Sequence, residues 1–242
     1  MNSPILLLRL EGPLQSWGGR ARWDVRDTGS TPTKSGVMGL LGCALGYSVG
    51  DVRLEELDRA IRFGVRVEAP GQILEDYQTI TDFLPMADGD YKRQGGKSSS
   101  LEALRSNPDF SPSTILSPRF YLEDASFLVA LAPRSAEWND LLHACAEALQ
   151  APQWPLFLGR KACVPTRPIF DKITQEYPSL EEALRQIPRS WLGSQKKERS
   201  NKESRRSSAF VEDVSGAFIR QDIIRVGPGR QYGFLTLKEV PL

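Results

Sequence analysis

The N-terminal part of the chain contains a continuous apolar run and then, after a glycine-rich segment, an apolar helical pattern. Residues 4–10 predict a buried first strand. Apolar residues at 37, 40, 41, 44 and 45 recur at helical spacing and predict a first helix that begins near Thr33, with Thr31 or Thr33 as N-cap. Glycine destabilises a helix, so the glycines within this one are expected to permit close packing or close approach of another backbone. They are Gly36, Gly39 and Gly42.

The same periodicities predict the remaining elements of an α+β fold. A short extra helix is expected over about 53–62, a second strand over 64–68 and a third over about 119–132. A second helix is expected over about 136–150 and a fourth strand over 154–158. Apart from the extra helix, the order is β-α-β-β-α-β, which predicts a ferredoxin-like (RRM-like) core. In such a sheet the fourth strand lies beside the first.

Two stretches fall outside this core. Residues 76–118 interrupt the chain between the second and third strands, and loops of that length in compact domains are usually functional or disordered. Beyond residue 165 the pattern predicts a short helix at Leu180–Leu184 capped by Ser179 and strands at 209–212, 218–224 and 232–237, which form a second sheet or extend the first. We therefore expect a core domain over 1–165, which includes the insertion, and a smaller β-rich region over 166–242.

A basic run at 195–206 lies in this C-terminal region. Such runs are most often solvated and disordered. As a nucleic-acid contact, the run would be an electrostatic arm that adds affinity without reading sequence.

Composition and charge indicate a globular protein without a global nucleic-acid signature. A chain of 242 residues can bury a sizeable core, and its net charge of +1 restricts any nucleic-acid site to a local basic surface. Cys43, Cys145 and Cys163 are odd in number and lack metal-ligand spacing, which favours reduced thiols. Arg9 and Glu11 lie too early for a signal peptide, and no apolar run approaches transmembrane length. We expect a cytoplasmic protein without membrane contact.

The segment between the first strand and the first helix carries the candidate chemistry. It contains Gly12-Pro13-Leu14-Gln15-Ser16-Trp17-Gly18-Gly19, and Thr31-Pro32-Thr33-Lys34-Ser35-Gly36 follows at the helix start. Backbone N–H groups at a helix N-terminus favour anions, and Lys34 adds a charge there, so the helix start is expected to hold phosphates. Trp17 either offers a stacking face to a base or fills the end of the sheet as a buried side chain.

These motifs, together with Gly39-Leu40-Leu41-Gly42, resemble the N-terminal signature of the Cas five family of RAMP proteins, the CasD-type subunits of type I-E CRISPR Cascade complexes. Two later runs agree with the resemblance, Tyr121–Phe127 and Pro155–Cys163. The resemblance covers roughly residues 4–170. It implies a thumb-like hairpin inserted at about 76–118 that reaches over the guide RNA.

The resemblance also implies an RNA-binding subunit that grips the 5′ handle of the CRISPR RNA and caps one end of the complex. Its implied partners are the CRISPR RNA, the backbone RAMP subunit, the large subunit that reads the PAM, and target DNA indirectly through the complex. No cofactor and no metal are expected. RNA contacts are predicted at the glycine segment, the helix start, the insertion and the end of the fourth strand. The residues are Gln15, Ser16, Trp17, Gly18, Gly19, Arg20, Arg22, Arg26, Thr33, Lys34, Ser35, Gly36, Lys92, Arg93, Lys97, Arg160 and Lys161.

Few residues of the chain are suited to catalysis. RNA cleavage without a metal needs a positioned general acid and base, most often histidine. The one histidine, His143, falls on the polar face of the predicted second helix, and no cluster of His, Asp and Glu has metal-ligand spacing. A binding subunit is therefore favoured over two alternatives, which stay open. They are a metal-independent endoribonuclease that processes CRISPR RNA precursors, and a scaffold that binds only proteins.

Overall fold

The structure, a computed structural model, describes residues 2–18, 25–80, 84–85, 91–93, 96–98, 115–190, 208–227 and 231–242. Contacts divide the chain into two compact units. Unit 1 contains Met1–Arg20, Asp27–Leu74 and Tyr121–Leu242, and unit 2 contains Ala21–Arg26 and Glu75–Phe120. The domain boundary at residue 165 stays a prediction.

The fold is α+β with antiparallel sheets. The strands are β1 Ile5–Glu11, β2 Leu14–Gln15, β3 Ile61–Ala69, β4 Gln72–Ile80, β5 Leu84–Pro85, β6 Tyr91–Arg93, β7 Gly96–Ser98, β8 Ile115–Glu123, β9 Ser126–Pro133, β10 Phe170–Thr174, β11 Ala209–Glu212, β12 Phe218–Arg225 and β13 Gln231–Val240. The helices are α1 Lys34–Leu45, α2 Arg53–Ala60, α3 Asn139–Gln150, which follows a 3₁₀ turn at Ala136–Trp138, and α4 Leu180–Gln186. Among the described residues, no helix is long and apolar enough to cross a membrane.

Unit 1 is built on one seven-stranded sheet with the order β10-β1-β9-β3-β11-β13-β12. Every neighbouring pair is antiparallel. The helices α1 and α2 connect β1 to β3, and α3 lies between β9 and β10 in the chain. The C-terminal strands β11, β12 and β13 therefore extend the first sheet and do not form a second one, which confirms one of the two predicted arrangements.

The first strand is buried over its whole length because both faces of the sheet are covered. Side chains alternate between the faces of a strand. Leu6, Leu8 and Leu10 pack in the core that also contains α1 and α3 residues. Ile5 and Leu7 pack in a second core with residues of α4. A continuous apolar run, instead of an alternating one, is what such double coverage requires.

The sequence predicts α1 correctly, including its N-cap. The Thr33 side chain accepts a hydrogen bond from the backbone N–H of Gly36, and Gly46 ends the helix in the left-handed conformation. A Cβ on Gly42 would lie 2.4 Å from Leu54 Cδ2, so this glycine permits close packing of α2 on α1. The predicted Ser179 cap of α4 is also present, since its side chain accepts a hydrogen bond from the N–H of Glu182.

The predicted fourth strand is wrong. Residues 154–158 form an irregular segment in which the Leu158 carbonyl accepts a hydrogen bond from Ser16 N at 3.0 Å. The place beside β1 belongs to β10, which lies about a dozen residues later. A short apolar run does not distinguish a buried strand from a buried loop by periodicity, and Leu158 is indeed fully buried within its loop.

The predicted third strand is two strands. The chain turns between β8 and β9 at Asp124, whose φ of 54° lies in the left-handed region that aspartate tolerates. The strand β8 pairs with β2, and β9 pairs with β1 and β3. Consequently only β9 belongs to the large sheet, and a second sheet has the order β2-β8-β4.

Unit 2 contains the whole of the predicted insertion at 76–118. Its three short strands form a separate sheet in the order β5-β6-β7, with Lys92 opposite Lys97 in the register of β6 and β7. Arg26 and Arg119 form an isolated bridge in the same unit.

Candidate nucleic-acid interface

The glycine segment after β1 is anchored by buried polar side chains. The Gln15 amide donates hydrogen bonds to the carbonyls of Ala125 at 2.7 Å and Leu10 at 3.2 Å, and its oxygen accepts one from Trp17 Nε1 at 3.0 Å. Gln15 is fully buried and Trp17 is 1% exposed. The prediction that these two side chains contact RNA is therefore wrong, because all of their polar atoms serve the fold.

The indole of Trp17 packs against the start of α1. A Cβ on Gly36 would lie 2.7 Å from Thr33 Oγ1 and 3.1 Å and 3.2 Å from two carbons of the Trp17 ring, so glycine leaves room for both the capping hydroxyl and the ring. The Trp17 backbone is also fixed, since its N–H donates to Thr28 Oγ1 and its carbonyl accepts from Gly29 N. Of the two roles predicted for Trp17, the structure assigns the buried one.

The start of α1 already holds an anion, which comes from the protein itself. The carboxylate of Asp222 on β12 accepts hydrogen bonds from Lys34 N at 2.7 Å, Ser35 N at 2.8 Å and Ser35 Oγ at 2.6 Å. The next backbone N–H along the helix, that of Gly36, donates to the capping Thr33 Oγ1. The predicted phosphate cradle at Thr33, Lys34, Ser35 and Gly36 is thus wrong, because a carboxylate occupies its donors.

The side chain of Lys34 points into the protein. It is 1% exposed, donates to the Asp58 carbonyl at 2.7 Å and lies 3.1 Å from Glu212 Oε2 and 3.7 Å from Asp58 Oδ1. Glu212 in turn accepts a hydrogen bond from the N–H of Phe63 and pairs with Arg134. Lys34 is therefore the central cation of a buried charge cluster. Its ammonium group is not available for a phosphate of RNA.

Burial makes one member of this cluster costly to ionise. Desolvation raises the pKa of Asp58 to about 6, with Lys34 opposing the rise and the charges of Glu212 and Asp222 adding to it. An unfolded aspartate loses its proton near pH 4, so between pH 4 and 6 the folded state binds the extra proton and stability falls as pH rises.

We expect Asp58→Asn to raise the free energy of unfolding by about 1–3 kcal/mol above pH 6 and to change it little near pH 4. Lys34 would keep Glu212 and the Asp58 backbone carbonyl as partners. Urea denaturation at pH 4.5 and pH 8 measures the difference. The matched control is Asp51→Asn, for which the expected sign is opposite because hydrogen bonds from Arg53 lower the pKa of Asp51. A loss of stability in Asp58→Asn at pH 8 would contradict the assignment.

Among the residues of unit 1 that the structure describes, the loop after Leu158 brings basic side chains next to the glycine segment. Gly159 has a φ of 97°, and a Cβ there would lie 1.8 Å from the Ser16 carbonyl oxygen, so the loop packs directly on the glycine segment. Arg160 donates to the Asp27 carbonyl at 3.2 Å, and its guanidinium lies 4.7 Å from the centre of the Tyr121 ring. Lys161 is exposed.

Gly18 lies on the same surface, since it is exposed and a Cβ on it would lie 3.7 Å from the Asp27 carbonyl that Arg160 binds. Arg160 therefore lies next to the glycine segment, and a loop, not a strand, brings it there. That Arg160 and Lys161 contact RNA stays a prediction. We call Gly18, Arg160 and Lys161 the basic loop surface.

The family described as "CRISPR-associated protein (Cas_Cas5)" matches the chain over residues 5–225. The chain belongs to the Cas5 family of CRISPR-associated proteins. It is similar to the "CRISPR system Cascade subunit CasD" of Escherichia coli (strain K12), with 35% identity over 168 residues that cover 68% of this chain and 69% of the relative.

Two solved structures also resemble this Cas5 chain. One is titled "CRISPR RNA-guided surveillance complex" and matches with a TM-score of 0.67 and 26% identity over 98% of this chain and 89% of that one. The other, "Crystal structure of Cas protein", has a TM-score of 0.60 and 29% identity over 98% and 95% of the two chains. The α+β fold is thus shared with Cas proteins over nearly the whole chain.

The other predicted contacts of the Cas5 chain differ in exposure, in the unit to which they belong and in whether the structure describes them. Ser16 is 5% exposed, and its backbone N–H donates to the Leu158 carbonyl. Little of its surface is therefore open to the predicted contact with RNA. Arg26 is exposed and belongs to unit 2. Gly19, Arg20 and Arg22 lie outside the described residues, as do the side chains of Lys92, Arg93 and Lys97.

Sequence reasoning missed the acids that surround Lys34 and the start of α1. Asp222, Glu212 and Asp58 read as ordinary surface acids, because nothing in the local sequence shows that they converge on Lys34. Gly159 precedes Arg160 and Lys161, and a glycine before two basic residues is the one signal that could have indicated a tight turn there.

The described part of the Cas5 chain contains no group of three His, Cys, Asp or Glu side chains that could hold a metal ion. His143 is exposed on α3, as predicted.

Proposed function

We propose that this Cas5 chain is a non-catalytic RNA-binding subunit of a Cascade-type complex, where it grips the 5′ handle of the CRISPR RNA and caps one end. The proposal takes its partners from the names of the relatives and from the resemblance in sequence. They are the CRISPR RNA, the backbone RAMP subunit and the large PAM-reading subunit, with target DNA held indirectly through guide pairing. The cytoplasmic location stays a prediction.

The observation that carries the RNA-binding proposal is the basic loop surface. Gly159 packs on the Ser16 carbonyl, Arg160 binds the Asp27 carbonyl next to the exposed Gly18, and the exposed Lys161 follows Arg160 in the chain. An overall charge of only +1 makes such a local surface the electrostatic footprint to expect. Exposed lysine and a guanidinium fixed over an aromatic ring suit contacts with the phosphates of single-stranded RNA.

We also propose that β10, β1, β9 and β3 constitute the ferredoxin-like core of the family. Their order in the sheet and the positions of α1 and α3 in the chain support this assignment, since the connections are β-α-β-β-α-β. The insertion between β3 and β9 would then be the thumb, with Lys92, Arg93 and Lys97 as further phosphate contacts. Gly19, Arg20, Arg22 and Arg26 complete the proposed RNA-binding set.

Lys161→Ala is expected to weaken binding of repeat RNA about fivefold at low salt, because one charge-assisted phosphate contact is lost. The effect should shrink as salt rises, since the released counterions contribute less. The affinity is measured by titration of labelled repeat RNA at two salt concentrations. Lys172→Ala is the matched control, because Lys172 is an exposed lysine on β10 paired with Glu176.

The same titration separates the alternative functions. A shift without cuts, unchanged in His143→Ala and in EDTA, supports a binding subunit. Defined cuts in the repeat RNA would instead indicate the endoribonuclease. Equal affinities for Lys161→Ala, Lys172→Ala and the wild type would contradict the basic loop surface, and no binding by the wild type would favour the protein scaffold.

A further inference from the structure

The carboxylate of Asp222 joins the C-terminal strands to the start of α1. It is fully buried and accepts three hydrogen bonds from Lys34 and Ser35. Its Oδ2, which accepts from Lys34 N, also accepts from Arg220 Nε at 2.7 Å. Arg220 extends the link by donating to Thr31 Oγ1 at 3.3 Å. Charge-assisted bonds of this kind are among the stronger contacts in a protein, so β12 fixes the position of the helix start.

The helix start in turn supports the glycine segment. Gly36 lies directly under the Trp17 ring, and Trp17 Nε1 donates to Gln15 Oε1. Ser16, between them, donates its N–H to Leu158, and Gly159 packs on the Ser16 carbonyl. A displacement of α1 would therefore move the Trp17 ring, the segment around Ser16 and the loop that carries Arg160.

We infer that Asp222 is a positioning residue of the RNA-binding surface, which it holds in place through α1 and Trp17 without touching RNA. The inference rests on the proposed function. Asp222 is separated from Lys34 by 188 residues, so the contact fixes the first and last parts of the chain to each other. A carboxylate is the required group, because it satisfies two backbone N–H groups, a hydroxyl and a guanidinium at once.

Asp222→Ala is expected to weaken repeat-RNA binding about tenfold, and Asp222→Asn by a smaller factor because the amide oxygen still accepts hydrogen bonds. The control is Leu184→Ala, which removes a buried side chain from the second core on the other face of the sheet. It lowers stability without contact to α1, and its affinity for RNA should stay within about twofold of the wild type. All affinities are measured below the melting temperature of every variant. If Asp222→Ala does not fold, Asp222→Asn and Ser35→Ala provide the same comparison.

A double-mutant cycle distinguishes positioning from simple loss of stability. Trp17→Phe removes the Nε1 donor to Gln15 and interrupts the proposed link. We expect Asp222→Asn to cost less RNA affinity in the Trp17→Phe protein than in the wild type, whereas Leu184→Ala should be additive with Trp17→Phe.

Additive effects of Asp222→Asn and Trp17→Phe, or affinities that follow melting temperature alike in the Asp222 and Leu184 variants, would overturn the inference and leave the proposed function standing. A wild-type protein that does not bind repeat RNA would contradict the proposed function itself.

Discussion

Lys34→Ala is expected to lower the free energy of unfolding by about 3–5 kcal/mol, because it leaves the buried Asp58 without its cation and Glu212 with Arg134 alone. The loss should be nearly independent of salt, since buried ion pairs are screened much less than exposed ones. Urea denaturation at low and high salt measures it. On sequence alone the expected effect would be weaker RNA binding that shrinks with salt, which is the behaviour of an exposed phosphate contact.

Two further variants make this test specific. Lys161→Ala removes an exposed charge and should leave the free energy of unfolding unchanged. Combining Lys34→Ala with Asp58→Asn should recover part of the loss, because position 58 then carries no charge and Arg134 still pairs with Glu212. If Lys34→Ala unfolds like the wild type but binds RNA weakly in a salt-dependent way, then the side chain faces RNA and the buried cluster is wrong.

Gly159→Ala is the second substitution with a large expected effect. Its φ of 97° is unfavourable for any residue with a Cβ, and that Cβ would lie 1.8 Å from the Ser16 carbonyl oxygen. Backbone strain and the clash together should lower the free energy of unfolding by about 3 kcal/mol or more. Repeat-RNA affinity should fall as well, because the loop must withdraw from the glycine segment. Thermal melting and RNA titration on the same preparation measure both effects.

Gly39→Ala is the matched control for this substitution. Gly39 is exposed within α1, and a Cβ there would meet nothing within 4 Å. Alanine should therefore raise the free energy of unfolding by about 0.5–1 kcal/mol, through the lower entropy cost of ordering its backbone. Equal tolerance of alanine at Gly159 and Gly39 would show that the loop does not pack on Ser16 as described.

Elements with strong periodicity were predictable from the sequence. The first strand, α1 with its Thr33 cap and α3 all follow local rules of spacing and capping, and the structure contains each of them. The short run at 154–158 was not predictable, because apolar character alone is shared by buried strands and buried loops. The break at Asp124 was also hidden, since one residue with positive φ leaves no periodic signal.

The packing of a second segment on the glycine segment was predictable in outline, but its details were not. The motif after β1 and Arg160 were expected to lie close together, and the structure brings them together through a loop and not through a strand. Trp17 and Lys34 were the most conspicuous residues of the motif, and both turned out to be buried. The type of a residue determines which interactions its side chain can make. The folded chain around it determines which partners lie close enough to make them.

The sequence by itself determined the family, the α+β class and the segment that carries the glycine motif. These properties depend on patterns within short stretches of chain, which are the same in the unfolded and folded protein. Only the tertiary structure decided the role of the charges. The start of α1 attracts an anion by its own geometry, but whether that anion is a phosphate or a carboxylate depends on what folding brings there. Folding brings Asp222 from a distant strand, and the buried position of Lys34 follows from the two acids that meet it.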